Sequence, residues 1–371
     1  MVISRRQLLA HIERWAERGW VTAAGADAIR AEVSTRRGPS LAGALAVLAA
    51  VLLGFAAMTF VAANWQAMSK LVRLAVLGVG LWAAYGASAL LRERGLPRFA
   101  EAAVLAGVGM FGASIMLISQ MYHLDGHPPD AVLLWSLGAL LAGVVLRSVT
   151  ALTASALLAL LWSAWTMTLG QNAHLSFLPV WAAIAAAFYR HGAWSGLHVS
   201  LATLAGWLMI VSFTSTRVFG FFGGGTRHAL IGVLGVGAAL AAAFASQQMP
   251  RLRTAAGVAL GYASLVGYWG LGALQFIETG TRGGNLLVLA VVTLALLIAL
   301  VAWGWRRSNR ALVWLGYTGF SLEILGLYFK TLGTLLSTSL FFLVASLIVA
   351  ALAALALRLH RQGSISEETP S

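Results

Sequence analysis

Long apolar runs, each near the length of a bilayer crossing and each separated from the next by a short polar break, recur from Leu41 to Leu357. The basic residues fall almost entirely in alternate breaks, which is the pattern of a chain threaded many times through a membrane. Sixty per cent of the residues are hydrophobic and 10 per cent charged, with a mean hydropathy of +0.83. A water-soluble domain has no interior large enough to hide that much apolar surface.

A hydrocarbon core of about 30 Å needs roughly 20 helical residues, which predicts about twelve spans: 41–63, 71–91, 99–121, 131–146, 148–169, 173–189, 193–213, 227–246, 254–277, 285–305, 311–330 and 334–357. The apolar residues run continuously and do not alternate, so helices are expected and not a barrel. The fold class is therefore an all-α polytopic transmembrane helix bundle. All of the twenty-five basic residues except Lys70, Arg73, Arg217, Arg227, Arg282 and Lys330 fall on one side of it. Taking that side as cytoplasmic makes the chain a multi-pass protein with both termini in the cytoplasm.

The net charge of +13 is largely this topology signal, so no nucleic-acid partner is expected. There is no Cys, which excludes disulfides and thiolate metal sites. The first apolar run is too long for a signal-peptide core, and no cleavage is expected.

Residues 1–38 form a separate zone. Leu8, Ile12 and Trp15 lie at helical spacing, Gly19 breaks the pattern, and Thr22 caps a second helix carrying Ile29 and Val33. This predicts a cytoplasmic helical hairpin, too small to hold a core alone, with anionic membrane lipids or another protein as its partner. Residues 39–358 are the transmembrane domain and 359–371 a short polar tail.

FVAANW (Phe60 to Trp65) closes the first span, and FGASIMLISQMYHL (Phe111 to Leu124) is followed by LLW (Leu133 to Trp135) at the opening of the next. With the hairpin, these segments resemble the bacterial predicted membrane proteins grouped as domain-of-unknown-function family 2157, over roughly the first 170 residues. LEILGLYFKTLGTLLSTSLFF (Leu322 to Phe342) is similar to the C-terminal part of related multi-span proteins. The resemblance implies an integral inner-membrane protein and carries over no activity or site residue.

Gly107, Gly109 and Gly112 spell G-x-G-x-x-G, but inside a span and after no strand, so they read as a packing face and no cofactor is expected. Gly257 and Gly261 read the same way. His123, Asp125 and His127 in the loop after the third span are weak metal or acid-base candidates, since Asp125-Gly126 and Pro128-Pro129 explain the same residues as a solvated turn. Glu101 is expected to reach the inner headgroups, and His198, near Ser195, Ser200 and Thr203, to be a hydrogen-bonded core residue. The glycine-rich piece from Thr214 to Thr226 reads as a re-entrant segment or a loop.

Glu323 is the sharpest single residue. It lies roughly 20 Å along its helix from Arg310, inside the hydrocarbon, where a carboxylate is costly and usually functional. Gly316, Gly319, Glu323, Gly326 and Lys330 recur at intervals of three and four, a stripe that must face protein or water. Asn64 and Trp65, Gln120 and Tyr122, and Tyr328 and Lys330 all close spans on the outer side, which predicts one outward-facing cavity with Glu323 at its floor. A transporter or translocator with a proton-coupling Glu323 is the leading reading. The alternatives are a structural or regulatory subunit contacting its partner through the hairpin, or an enzyme working at the outer face. Catalytic residues cannot be named, and an enzyme is the less favoured class.

Overall fold

The computed structural model describes residues 5–35, 63–170, 173–214, 224–278 and 283–331, with isolated positions 59, 343, 346 and 347. Nearly all of the expected spans 41–63 and 334–357, the tail and most of the Thr214 to Thr226 segment lie outside the described residues. Among those described, every regular element is a helix. The α-helices are α1 (Arg5–Glu17), α2 (Ala23–Thr35), α3 (Lys70–Glu93), α4 (Pro97–Tyr122), α5 (Pro128–Val145), α6 (Val149–Gly170), α7 (Phe177–Arg190), α8 (Trp194–Thr214), α9 (Gly224–Gln248), α10 (Arg253–Phe276), α11 (Gly284–Arg306) and α12 (Arg310–Thr331). Single 3-10 turns cover Trp65–Ala67 and Pro250–Leu252. Nine of the described helices are long and apolar enough to cross a membrane.

The chain divides into two compact units, Met1–Ala75 and Val76–Ser371. In the first, α1 and α2 pack against each other. Gly19 turns the chain at φ +70°, and the backbone N–H of Gly25 donates to Thr22 Oγ1 at 3.2 Å, so Thr22 is the cap of α2. Ile12 and Ala26 are buried against this small contact. Later in the same unit, Arg73 holds the end of the Trp65–Ala67 turn. Its guanidinium lies 5.3 Å from the Trp65 ring and donates to the carbonyls of Met68 and Gln66.

In the second unit, close helix approach is set by glycine. A Cβ on Gly235 would lie 2.2 Å from the backbone nitrogen of Gly267, and one on Gly270 would lie 2.2 Å from that of Gly232, so α9 and α10 touch backbone to backbone. The expected Gly257 and Gly261 pair is not the seam: Gly257 faces open space and Gly261 only reaches Leu312 at 3.4 Å. The G-x-G-x-x-G glycines do pack, Gly107 under Tyr85 and Gly112 under Trp135, while Gly109 meets nothing.

The sixth expected span, 173–189, holds a shorter helix than its neighbours. Its helix, α7, has 14 residues, about 21 Å at 1.5 Å per residue and short of a 30 Å core. It runs antiparallel to α8: Phe177 stacks on Trp207 at 5.5 Å, Trp181 Nε1 donates to the Ser200 carbonyl at 2.8 Å, and Phe188 fills the space over Gly196. The chain entering α7 folds back beside α6, where His174 Nδ1 lies 3.3 Å from Ser163 Oγ and the ring stands edge-on to Trp162 at 4.4 Å. Trp207 Nε1 donates to the same Ser163 hydroxyl at 3.1 Å. The turn meets backbone polar groups of its own, with Phe177 N–H donating to the His174 carbonyl at 3.1 Å and Leu178 N–H to that of Leu175 at 3.0 Å.

At the end where α3 stops and α4 and α6 begin, Glu101 is a staple between helices. Arg92 Nη2 donates to its Oε1 at 2.7 Å, while Ser148 Oγ and Thr150 Oγ1 donate to its Oε2 at 2.6 and 2.7 Å. The Thr150 backbone N–H reaches Oε2 at 3.4 Å, so this carboxylate on α4 satisfies one of the unpaired N–H groups that begin α6. Arg92 also donates to the Leu146 carbonyl. The tight turn from α5 to α6, with Arg147 at φ 50°, is thereby tied to two other helices.

Candidate functional site

Helix α12 is started by Asn309, whose Oδ1 accepts from the N–H groups of Ala311 and Leu312 at 3.1 and 3.3 Å. Its glycine stripe then allows close approach to two neighbours. Cβ atoms on Gly316 and Gly319 would meet Val301 and Leu297 of α11 at 2.5 and 2.7 Å, and one on Gly326 would meet the Phe276 ring of α10 at 2.8 Å. The stripe faces protein, as its spacing requires, and it carries Glu323 to a position 0 % exposed.

Two further helices supply the surroundings of this carboxyl. Gln275, also 0 % exposed, sits in the last turn of α10, and Thr293, 1 % exposed, sits on α11. Gln275 Nε2 donates to Thr293 Oγ1 at 2.8 Å, and that hydroxyl donates to the Leu289 carbonyl at 2.9 Å. The Gln275 side chain and Tyr268, two turns earlier on α10, are both near enough to act on Glu323 electrostatically. No described residue, however, makes a hydrogen bond of good geometry to either Glu323 oxygen or to Gln275 Oε1. Three buried oxygens, two on Glu323 and one on Gln275, thus lack a partner among the described residues, and an ionised carboxylate and an amide oxygen can only accept.

Lys330 Nζ, two turns beyond Glu323 on the same stripe, donates to the Gln275 backbone carbonyl. That carbonyl belongs to the last turn of α10, where a cation suits the helix dipole. One turn past Gln275, Glu278 lies 3.5 Å from Nε2 of the buried His228 on α9. The His228 ring stands edge-on to Phe213 at 5.4 Å, and Phe213 in turn meets Trp269, whose Nε1 donates to Ser212 Oγ at 3.2 Å. Glu323, Gln275, Lys330 and the Glu278 and His228 pair thus form a polar column leading to the end of α10.

The other sequence candidates stand elsewhere. Gln120 and Tyr122 are exposed at the end of α4, which packs on α5 and α6, whereas α12 packs on α10 and α11. Helix α8, which packs on both α6 and α10, intervenes, so the single cavity expected to join these residues to Glu323 is not formed by α4 and α12. Asn64 and Trp65 belong to the first unit, where Asn64 precedes the 3-10 turn and Trp65 meets Arg73. Tyr328 turns its ring edge-on to Phe329 at 5.4 Å. Lys330 borders an open depression of about 380 Å³ with Phe276, Gly326 and Phe329, one turn beyond Glu323.

His123, Asp125 and His127 are exposed, and no group of three metal-ligating side chains occurs among the described residues. His127 Nδ1 instead lies 3.6 Å from Asp130 in the first turn of α5, where an acid suits the helix start. His198 is exposed, with the Tyr262 hydroxyl 3.5 Å from its Nδ1, and is not the core histidine expected. The buried histidine is His228. Gln275, Thr293 and Tyr268 were not singled out from the sequence, although an isolated amide at the end of an apolar run is the one signal that marks Gln275.

No curated protein and no solved structure matches this chain. Residues 13–152, from within α1 into the first turn of α6, match the family model described as "Predicted membrane protein (DUF2157)".

Proposed function

We propose that this membrane protein is a translocator in which Glu323 takes up and releases a proton. The observation that carries the reading is the fully buried Glu323 facing the Gln275 amide with unsatisfied oxygens on both sides. A protonated Glu323 donates its O–H to Gln275 Oε1 and relieves both. An ionised Glu323 is served by the opposite amide orientation, with Nε2 turned toward the carboxylate and Oε1 accepting from Thr293. Gain or loss of one proton thus favours different arrangements of α10, α11 and α12, which is the two-state element that coupled movement requires.

The positive-inside rule supports a cytoplasmic location for the end bearing Arg92, Arg147, Arg190, Arg253 and Arg306, and hence an outward-facing Lys330. In that orientation the polar column runs from Glu323 toward the outer surface. Purified protein in proteoliposomes under an imposed pH gradient tests the reading. Proton uptake into the vesicles is expected from the wild type and lost in Glu323→Gln, which keeps the shape of the side chain. Equal uptake by the two proteins, or none by the wild type above empty vesicles, would overturn it.

A further inference from the structure

Between α9, α10 and α11 the bundle leaves a cavity of about 140 Å³ whose walls include Ala239, Ala243, Leu260, Tyr268, Thr293 and Trp303. Nearly all of this lining is carbon, and the Thr293 hydroxyl is already spent on Leu289 and Gln275. Leu240 and Ala299 on its rim are exposed, so the slot is open to the outside of the bundle, and apolar walls there suit a hydrocarbon chain.

Charge sits at one end of the slot. The chain reverses between α9 and α10 through Arg251 and Arg253, and between α11 and α12 through Arg306, Arg307 and Arg310, with no acidic residue in either turn. The antiparallel contacts of α10 with α9 and with α11 bring both turns to the same end. Trp303 lines the cavity one turn before Arg306, and the Arg307 guanidinium lies 5.4 Å from the Trp303 ring. Leu260 lines it two turns after Arg253. An apolar slot therefore lies between helices whose shared end carries the arginines of both turns.

We infer that this cavity is a binding site for one anionic phospholipid, with an acyl chain between α9, α10 and α11 and the phosphate on Arg251 and Arg306. Guanidinium groups pair with phosphate in a forked geometry, and each cation near the headgroup level adds attraction for an anionic lipid. The carbon-lined slot selects the chain and the arginines select the headgroup. The site stands whether or not Glu323 exchanges protons.

Delipidated full-length protein in detergent, titrated with phosphatidylglycerol or with phosphatidylcholine of the same chains and read by native mass spectrometry, tests both halves. Phosphatidylglycerol is expected to be retained more tightly, and each neutralisation in Arg251→Gln and Arg306→Gln to weaken it about fivefold, the equivalent of about 1 kcal/mol per basic residue. Ala299→Phe, which fills the slot from an exposed position on α11, is expected to weaken both lipids. Leu240→Trp, exposed on α9 and lining the same slot, serves if that variant does not fold. Soluble glycerol phosphate is expected not to compete. Equal retention of the two lipids, arginine variants that bind as the wild type does, cavity-filling variants that fold and bind unchanged, or full competition by glycerol phosphate would each overturn the assignment.

Discussion

Glu323 and Gln275 face one another from α12 and α10, both fully buried, and each presents oxygen that no described residue satisfies with a well-formed hydrogen bond. Leaving a buried polar group unpaired costs about 1–3 kcal/mol. Gln275→Leu removes one of the orphans and keeps the volume, so it is expected to unfold no more readily than the wild type in detergent while abolishing proton uptake. Retained uptake in Gln275→Leu would show that the amide is not part of the proton site.

The α9 to α10 seam has no room for a side chain. Gly270→Ala places a methyl group against the Gly232 backbone and Gly235→Ala does the same against Gly267. Overpacking costs about 1–3 kcal/mol even where side chains can yield, and backbone yields less. Both variants are expected to lower the unfolding temperature in detergent clearly. Gly109→Ala and Gly257→Ala, which meet nothing within 4 Å, are expected to leave it unchanged or raise it slightly.

Glu101 ties α4 to α3 and to the start of α6. Glu101→Gln removes a charge-assisted set of hydrogen bonds and is expected to cost roughly 2 kcal/mol, with Arg92→Ala costing less. Chemical denaturation of the single variants and of the double variant is expected to show coupling, so that the double costs less than the two singles together. Strict additivity would mean that Arg92 and Glu101 do not act on each other.

The basic asymmetry predicts orientation. Reporters fused after Arg94 and after Arg307 are expected to read cytoplasm, and one near Gly126 the opposite side. Gly126 in the cytoplasm would invert the proposed direction of the polar column.

Helices α3 to α6 and α8 to α12 were legible because their apolar runs are long and their breaks are marked by charge or Pro-containing turns. Helix α7 was legible as an element but not in length, because the stretch from Ala173 to Ser176 is apolar enough to continue a span while its backbone turns back beside Ser163. Glu323 was legible since a lone acid in an apolar run is conspicuous. Its partners were not: Gln275 lies 48 positions earlier and Thr293 30 positions earlier, and spacing along one helix cannot say which helix is its neighbour. The same limit produced the mistaken grouping of Gln120 and Tyr122 with Glu323, since all close spans at matching ends but α8 separates their helices. Gly257 and Gly261 have the motif spacing, whereas Gly267 and Gly270, at a spacing of three, make the contact.

On the proposed function, Glu323 changes protonation inside the bundle. Infrared difference spectra of the reconstituted protein, recorded as the bulk pH is stepped, report the carboxyl stretch of a buried acid directly. A protonated-carboxyl band that disappears as the pH rises, and that is missing from Glu323→Gln, is the predicted result. A difference spectrum identical in wild type and Glu323→Gln would contradict it.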